Sequence, residues 1–278
     1  MRPALIAVTA CALVFGAAPK QLVVEHPGIH QYEDGPDLSA DFKFASGETV
    51  YLDFEIGGYQ RSEDEKVKLS WTVQVKDPAG IELIAPQSGE VATELSQEDK
   101  NWLPKGRVEI LIPPHAPTGS YKILVAAKDL LANTAASKEL TFQVHGHAWK
   151  ASDTLAIQDA GFYRTEEDSK PLSAPAYRPG DPVWVRFDIT GFKLGEGNQF
   201  EVGYGISVLR ANGETMLSQP EGAAEKGASF YPRGYMPAGF SFTLDRDIKP
   251  GQYTVAITAR DKIGNQQAEA KQTFSVEQ

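Results

Sequence analysis

The sequence predicts an all-β protein built as two tandem β-sandwiches. Three observations carry this: landmark residues recur at a spacing of 133 that slips to 132 toward the end of each copy, apolar residues alternate in rows of period two, and no long segment has the spacing of an amphipathic helix. Leu22, Val24 and Gly28 match Leu155, Ile157 and Gly161, and Gly47, Val50, Phe54, Ile56 and Gly58 match Gly180, Val183, Phe187, Ile189 and Gly191. Two copies are too few for a solenoid, and each is long enough to bury its own core.

The chain opens with residues 4–18, almost wholly apolar or small, which follow Arg2 and lead into Pro19 and Lys20. This is the pattern of a secretory leader, so residues 1–18 are predicted as a signal peptide, 20–146 as the first sandwich domain and 153–278 as the second. Gly16, Ala17 and Ala18 supply the small side chains of a processing site, although Pro19 would follow the cut. Val8, Thr9, Ala10 and Cys11 resemble a bacterial lipobox, but the apolar run before Cys11 is short and continues past it. Cys11 is therefore read as a spectator within the leader rather than a lipid anchor. The leader is too short to span a bilayer comfortably and no later segment does so, which predicts an exported, periplasmic or extracellular protein with no integral membrane segment in its mature form.

Cys11 is the sole cysteine, so a mature form without it holds no disulfide and depends on packing. The formal charge of −10 and the dispersed Lys and Arg residues exclude a nucleic-acid footprint and a polybasic lipid-binding segment.

The first clear strand carries Val50, Leu52, Phe54 and Ile56 on one side, with Val183, Val185, Phe187 and Ile189 as its counterpart. Alternation of this kind buries one face of a sheet and leaves the other wet. Leu69, Trp71, Val73 and Val75 form the next row, matched by Val202, Tyr204, Ile206 and Val208, and turns at Asp77 to Gly80 and Ala211 to Gly213 end the two strands. Glu94 to Trp102 is at most a short helix or turn, with Ser96 ahead of Glu98 and Asp99 as its capping signal. Pro104 and Gly106 are aligned with Pro237 and Gly239. After the slip, Gly119, Tyr121, Asp129, Asn133, Phe142 and Val144 match Gly251, Tyr253, Asp261, Asn265, Phe274 and Val276. Each set predicts a hairpin that closes a sheet, with Tyr121 and Tyr253 placed to tie a loop to the sandwich through their hydroxyls. The boundary between copies falls between His145 and Asp153, with Trp149 placed to pack between them.

The run Gly251, Tyr253, Asp261, Gly264, Asn265, Phe274 and Val276, with Ala132 at the Gly264 position of the first copy, resembles bacterial immunoglobulin-like modules of exported and cell-surface proteins. The likeness is strongest over the last third of each repeat. It implies two Greek-key immunoglobulin-like sandwiches and roles in adhesion, spacing or positioning, without implying a reaction. Tyr177, Arg178, Pro179 and Gly180 are also similar to the start of macroglobulin-type sandwich domains, so the subfamily stays open.

Motifs for catalysis are missing: the sequence has no G-x-S-x-G elbow, no H-E-x-x-H helix, no phosphate-cradling glycine loop and no mature cysteine nucleophile. The protein is predicted not to be an enzyme and to need no cofactor. His26, His30, His115, His145 and His147 all lie in the first copy or at its exit, and a transition-metal site would need the first two to meet the last two. They are read instead as surface or linker residues, and no metal is assigned. Asp129 with Asn133, and Asp261 with Asn265, suit either calcium or the hydrogen bonds of a turn, and the turn needs fewer ligands.

The candidate recognition surface is the Pro-, Gly- and aromatic-rich stretch from Ser218 to Phe240, a region poorly described by strand alternation. Its binding candidates are Phe230, Tyr231, Arg233, Tyr235 and Met236, joined by Trp102, which is aligned with Tyr235 as Leu103 is with Met236. The same aromatics could instead plug the open end of each sandwich. The sequence thus predicts a noncatalytic exported binding or structural protein that positions or recognises an envelope or extracellular protein. The alternatives are a carbohydrate-binding accessory module, whose partner is a glycan, and, more remotely, an unrecognised hydrolase.

Overall fold

The computed structural model describes residues 21–39, 41–99 and 101–278, without the side chain of Gln97. The predicted signal peptide, residues 1–18, and Cys11 within it lie outside the described residues. The architecture is all-β with two similar pairs of sheets. In the first pair, β1 (Val23–His30), β3 (Thr49–Gly57) and β6 (Lys105–Leu111) form a three-stranded sheet in the order β1-β3-β6. Opposite it, β2 (Lys43–Ala45), β4 (Lys66–Lys76), β5 (Gln87–Glu94), β7 (Gly119–Asp129) and β8 (Thr134–His145) form a five-stranded sheet in the order β2-β8-β7-β4-β5.

The second pair repeats this order. Strands β9 (Ala156–Tyr163), β11 (Pro182–Thr190) and β14 (Tyr235–Thr243) form one sheet, β14-β11-β9. Strands β10 (Ala176–Tyr177), β12 (Phe200–Arg210), β13 (Thr215–Gly227), β15 (Gly251–Asp261) and β16 (Gln266–Val276) form the other, β10-β16-β15-β12-β13. In both pairs the short second strand runs parallel to the last one, and the other ladders are antiparallel.

The rows of period two become the two cores. Val50, Leu52, Phe54 and Ile56 are buried, as are Val183, Val185, Phe187 and Ile189. Trp71 is only partly buried: its ring stands nearly perpendicular to that of Phe54 at 5.4 Å and lies over Gly89, where any Cβ would strike the indole. The segment with capping character is a single 3-10 turn, Gln97–Asp99, in which Ser96 Oγ accepts from the Glu98 amide and donates to Asp99 Oδ2.

Two expectations change. Much of Ser218 to Phe240 is strand, covered by β13 and β14. Alternation missed β13 because most of it is exposed on both faces at a sheet edge, and Pro220 and Gly222 interrupt it near a register shift. The one-residue slip also lies earlier than the sequence alignment puts it. Phe54 pairs with Gly106 whereas Phe187 pairs with Ala238, and the Gly47 amide bonds Ile112 O where the Gly180 amide bonds Leu244 O. The offset is already 132 at β6 and β14, so Trp102 corresponds to Gly234 and Leu103 to Tyr235.

Candidate functional site

The predicted site residues divide between two places. Those of the second copy sit where the two sheet pairs meet. The segment between β13 and β14 projects Tyr231 into the core of the first sheet pair, leaving the residue 6% exposed. Its hydroxyl donates to Asp77 Oδ2 at 2.7 Å, while Asp77 Oδ1 accepts from the amides of Ala79 and Ile81 in the turn after β4. A buried carboxylate is costly unless its lone pairs are filled, and here the turn and the tyrosine fill them together. Burial, together with the Asp77 hydrogen bond and charge, pushes the Tyr231 hydroxyl far above its ordinary pKa, so it stays a donor.

Around Tyr231 the contacts are specific. His115 lies 5.6 Å away ring to ring, and its burial lowers its pKa, keeping it neutral against the tyrosine. The loop itself is held from the second side by Asn198, whose amide donates to Ser229 O and Phe230 O, and by Ser229 Oγ on Tyr231 O. Arg233 donates to Glu225 Oε2 at 2.7 Å and sits over the Phe200 ring. Tyr235 and Met236 are buried at 7% and 0%, Arg233 is half-buried, and Phe230 is 53% exposed.

The connection between the sheet pairs is strapped at both ends. Thr118 Oγ1 donates to Gly146 O and accepts from its amide, and the Gln158 side chain does the same for Lys150. Between these straps His147 Nε2 lies 2.6 Å from Asp188 Oδ2, and its ring and that of Trp149 pack on Tyr235. Trp149 covers Gly234, the position Trp102 holds in the first copy, and a Cβ there would strike the indole.

Trp102 lies at the opposite end of the first sheet pair. There the segment between β3 and β4, the segment between β5 and β6 and the tip between β7 and β8 are tied together. Tyr59 Oη donates to Trp102 O, Arg61 donates to Asp99 O, and the Gln60 amide donates to Asp129 Oδ2. Half-buried Trp102, with Tyr59 and Arg61, lines a cavity of about 460 Å³ at this tip, and Leu130 and Leu131 stand exposed on the adjoining hairpin.

The paired acidic residues are turn anchors. Asp129 Oδ1 accepts from Leu131 and Ala132, and Asp261 Oδ1 accepts from Ile263 and Gly264; both residues are buried. Asn133 and Asn265 follow at φ 53° and 50°, a left-handed conformation asparagine tolerates. Both tyrosine hydroxyls tie loops: Tyr121 to Pro117 O and Tyr253 to Lys249 O. Among the described histidines, His26 pairs with Glu55, His30 with Asp53 and His147 with Asp188. Among the described residues, no group of three or more His, Cys, Asp or Glu side chains is placed to hold a metal ion.

Sequence reasoning missed Asp77 and His115 as partners of the loop. One signal was present: Asp77 of the first copy is replaced by Arg210 in the second, so the aspartate serves something the repeat itself does not need.

No protein-family model matches the chain, and no curated protein matches it. Among solved structures, the chain is similar to the red sea bream transglutaminase at 9% identity and TM-score 0.27, over 95% of this chain and 32% of that one, so it spans about a third of the enzyme's length. It is also similar to the C-terminal domain of the Streptococcus agalactiae AgI/II polypeptide BspA at 9% identity and TM-score 0.32, over 92% of this chain and 100% of that one. At such identities and scores the likeness assigns no role to this chain. Among the described residues, no helix is long and apolar enough to cross a membrane.

Proposed function

We propose that the chain is a noncatalytic exported protein of two immunoglobulin-like modules, 20–146 and 153–278, that positions or recognises an envelope or extracellular protein. The observation that carries this reading is the insertion of Tyr231 from the second module into the core of the first. A passive linker needs no buried tyrosine and no paired carboxylate; a device that holds two modules at a set angle does. The strand orders, with the second strand parallel to the last, support the immunoglobulin-like assignment. The apolar leader supports export.

On this reading Tyr231, Arg233, Tyr235 and Met236 act in recognition indirectly, by fixing the angle. Trp102 belongs to the surface that meets the partner, at the tip shared with Tyr59, Leu130 and Leu131, and Phe230 adds an exposed ring at the junction. Loops at one end of a sandwich carry function because a rigid scaffold presents them, and exposed aromatic and leucine side chains supply contact energy.

A photocrosslinker placed at Leu131, compared with one at Lys138 on the sheet face, tests the assignment in envelope and secreted fractions. The expected result is one protein crosslinked from position 131 alone and lost with Trp102→Ala. Equal labelling from both positions, or none from the tip, counts against it.

A further inference from the structure

The outer faces of the two three-stranded sheets correspond strand for strand, yet one is filled and the other open. In the first, Arg107 on β6 stands opposite Asp53 and reaches Glu33 and Asp34 in the segment after β1, and the remaining space is about 100 Å³. In the second, Gly239 stands opposite Arg186 at the place of Arg107. Without a side chain there, the face opens into a groove of about 590 Å³ that also reaches the core-facing Phe187, Tyr204 and Phe240, a volume within the range of about 300–1,000 Å³ usual for small-molecule sites.

The groove wall is chemically mixed. Arg186 lies over the Tyr163 ring at 3.6 Å and bonds the Glu166 and Asp168 carbonyls, which fixes its guanidinium along one wall. Trp184 offers a half-buried indole, and Ser241 stands directly opposite it on β14. Asp159 sits on a bulge of β9 at φ 50°, and among the described residues neither its carboxylate nor that of Glu166 forms an ion pair. The His147–Asp188 pair closes the end nearest the first sheet pair.

This combination selects a ligand class. An anion would meet Asp159 and Glu166, and a cation would meet the fixed guanidinium. A neutral polyhydroxyl compound uses both, since its hydroxyls donate to the carboxylates and accept from the guanidinium or the serine while its apolar ring face covers the indole. We infer that this groove binds a neutral saccharide, with Trp184 as the stacking platform and Asp159 and Glu166 as hydroxyl acceptors. The inference is independent of the protein-partner reading, which places its contact at the far tip.

Isothermal titration of the full mature chain with neutral tri- to hexasaccharides based on glucose, galactose and N-acetylglucosamine tests it. Binding of at least one series is expected, weakened by about tenfold or more in Trp184→Ala, a loss equivalent to about 1.4 kcal/mol. Gly239→Arg is expected to abolish it by rebuilding the filled face, and Trp102→Ala to leave it unchanged. A Cβ at Gly239 would lie 3.0 Å from Val185 O, so the folding of that variant is checked by circular dichroism and Trp184→Ala stands as the independent arm. No binding of any series at millimolar concentration, binding unaffected by Trp184→Ala, or preferential binding of an oligolysine control overturns the inference.

Discussion

At the residue scale, a few buried polar contacts bear the specificity of the molecule. Tyr231→Phe leaves Asp77 Oδ2 without its donor, an expected loss of about 1–3 kcal/mol in urea denaturation. Tyr231→Ala adds a cavity in the first core and is expected to cost about 3 kcal/mol or more. Acidification acts on the same contact. His115 has its pKa lowered from 6.5 by burial, so its contribution is complete above pH 6.5 and is lost as pH falls toward the lowered folded value. His30 works in the opposite direction: burial opposes its protonation, but the Asp53 hydrogen bond and nearby carboxylates raise its pKa overall. Its contribution is complete below 6.5 and is lost as pH rises through the raised value. The stability difference between wild type and His115→Gln is therefore expected to shrink between pH 7.5 and 5.5 in denaturant titrations, while that between wild type and His30→Gln grows.

At the element scale, the two copies use the same joints. Asp129 and Asp261 each gather amides from their own hairpin and from a neighbouring segment, the latter through Gln60 and Lys193. Asp129→Ala and Asp261→Ala are each expected to destabilise by about 3 kcal/mol, because several buried amides lose their acceptor at once. Chelation by EDTA is expected to leave the thermal midpoint unchanged; a drop restored by calcium would contradict the turn assignment. These joints were legible in the sequence because both copies keep them at one spacing. So were β3, β4, β11 and β12, whose alternation reports burial directly. Edge strand β13 was hidden, since an exposed edge has no buried face to leave a pattern. The register of β6 and β14 was hidden as well: Pro104 and Gly106 matched Pro237 and Gly239 by residue type, while the ladder pairs them one residue apart.

At the scale of the whole molecule, the sequence marked the right loop without showing where it goes. Phe230, Tyr231 and Tyr235 stood out as aromatics clustered near glycine and proline, but Tyr231 and Asp77 are 154 residues apart and no local rule joins them. The repeat itself obscured the junction, because a copy-by-copy alignment looks for what the copies share, whereas a junction is made from what they do not. Asp77 against Arg210, and Trp149 over Gly234 against Trp102, are such differences. The double strapping of Gly146 and Lys150 adds to the Tyr231 insertion, so the two sheet pairs are expected to move as one body. The measurement that addresses this most directly is a pulsed electron-spin distance between labels at Thr93→Cys and Glu269→Cys in a Cys11→Ser chain. A single narrow distribution is expected, broadened by Tyr231→Ala in protein shown to remain folded. A distribution already broad with Tyr231 in place, or one that the substitution leaves unchanged, would contradict the account.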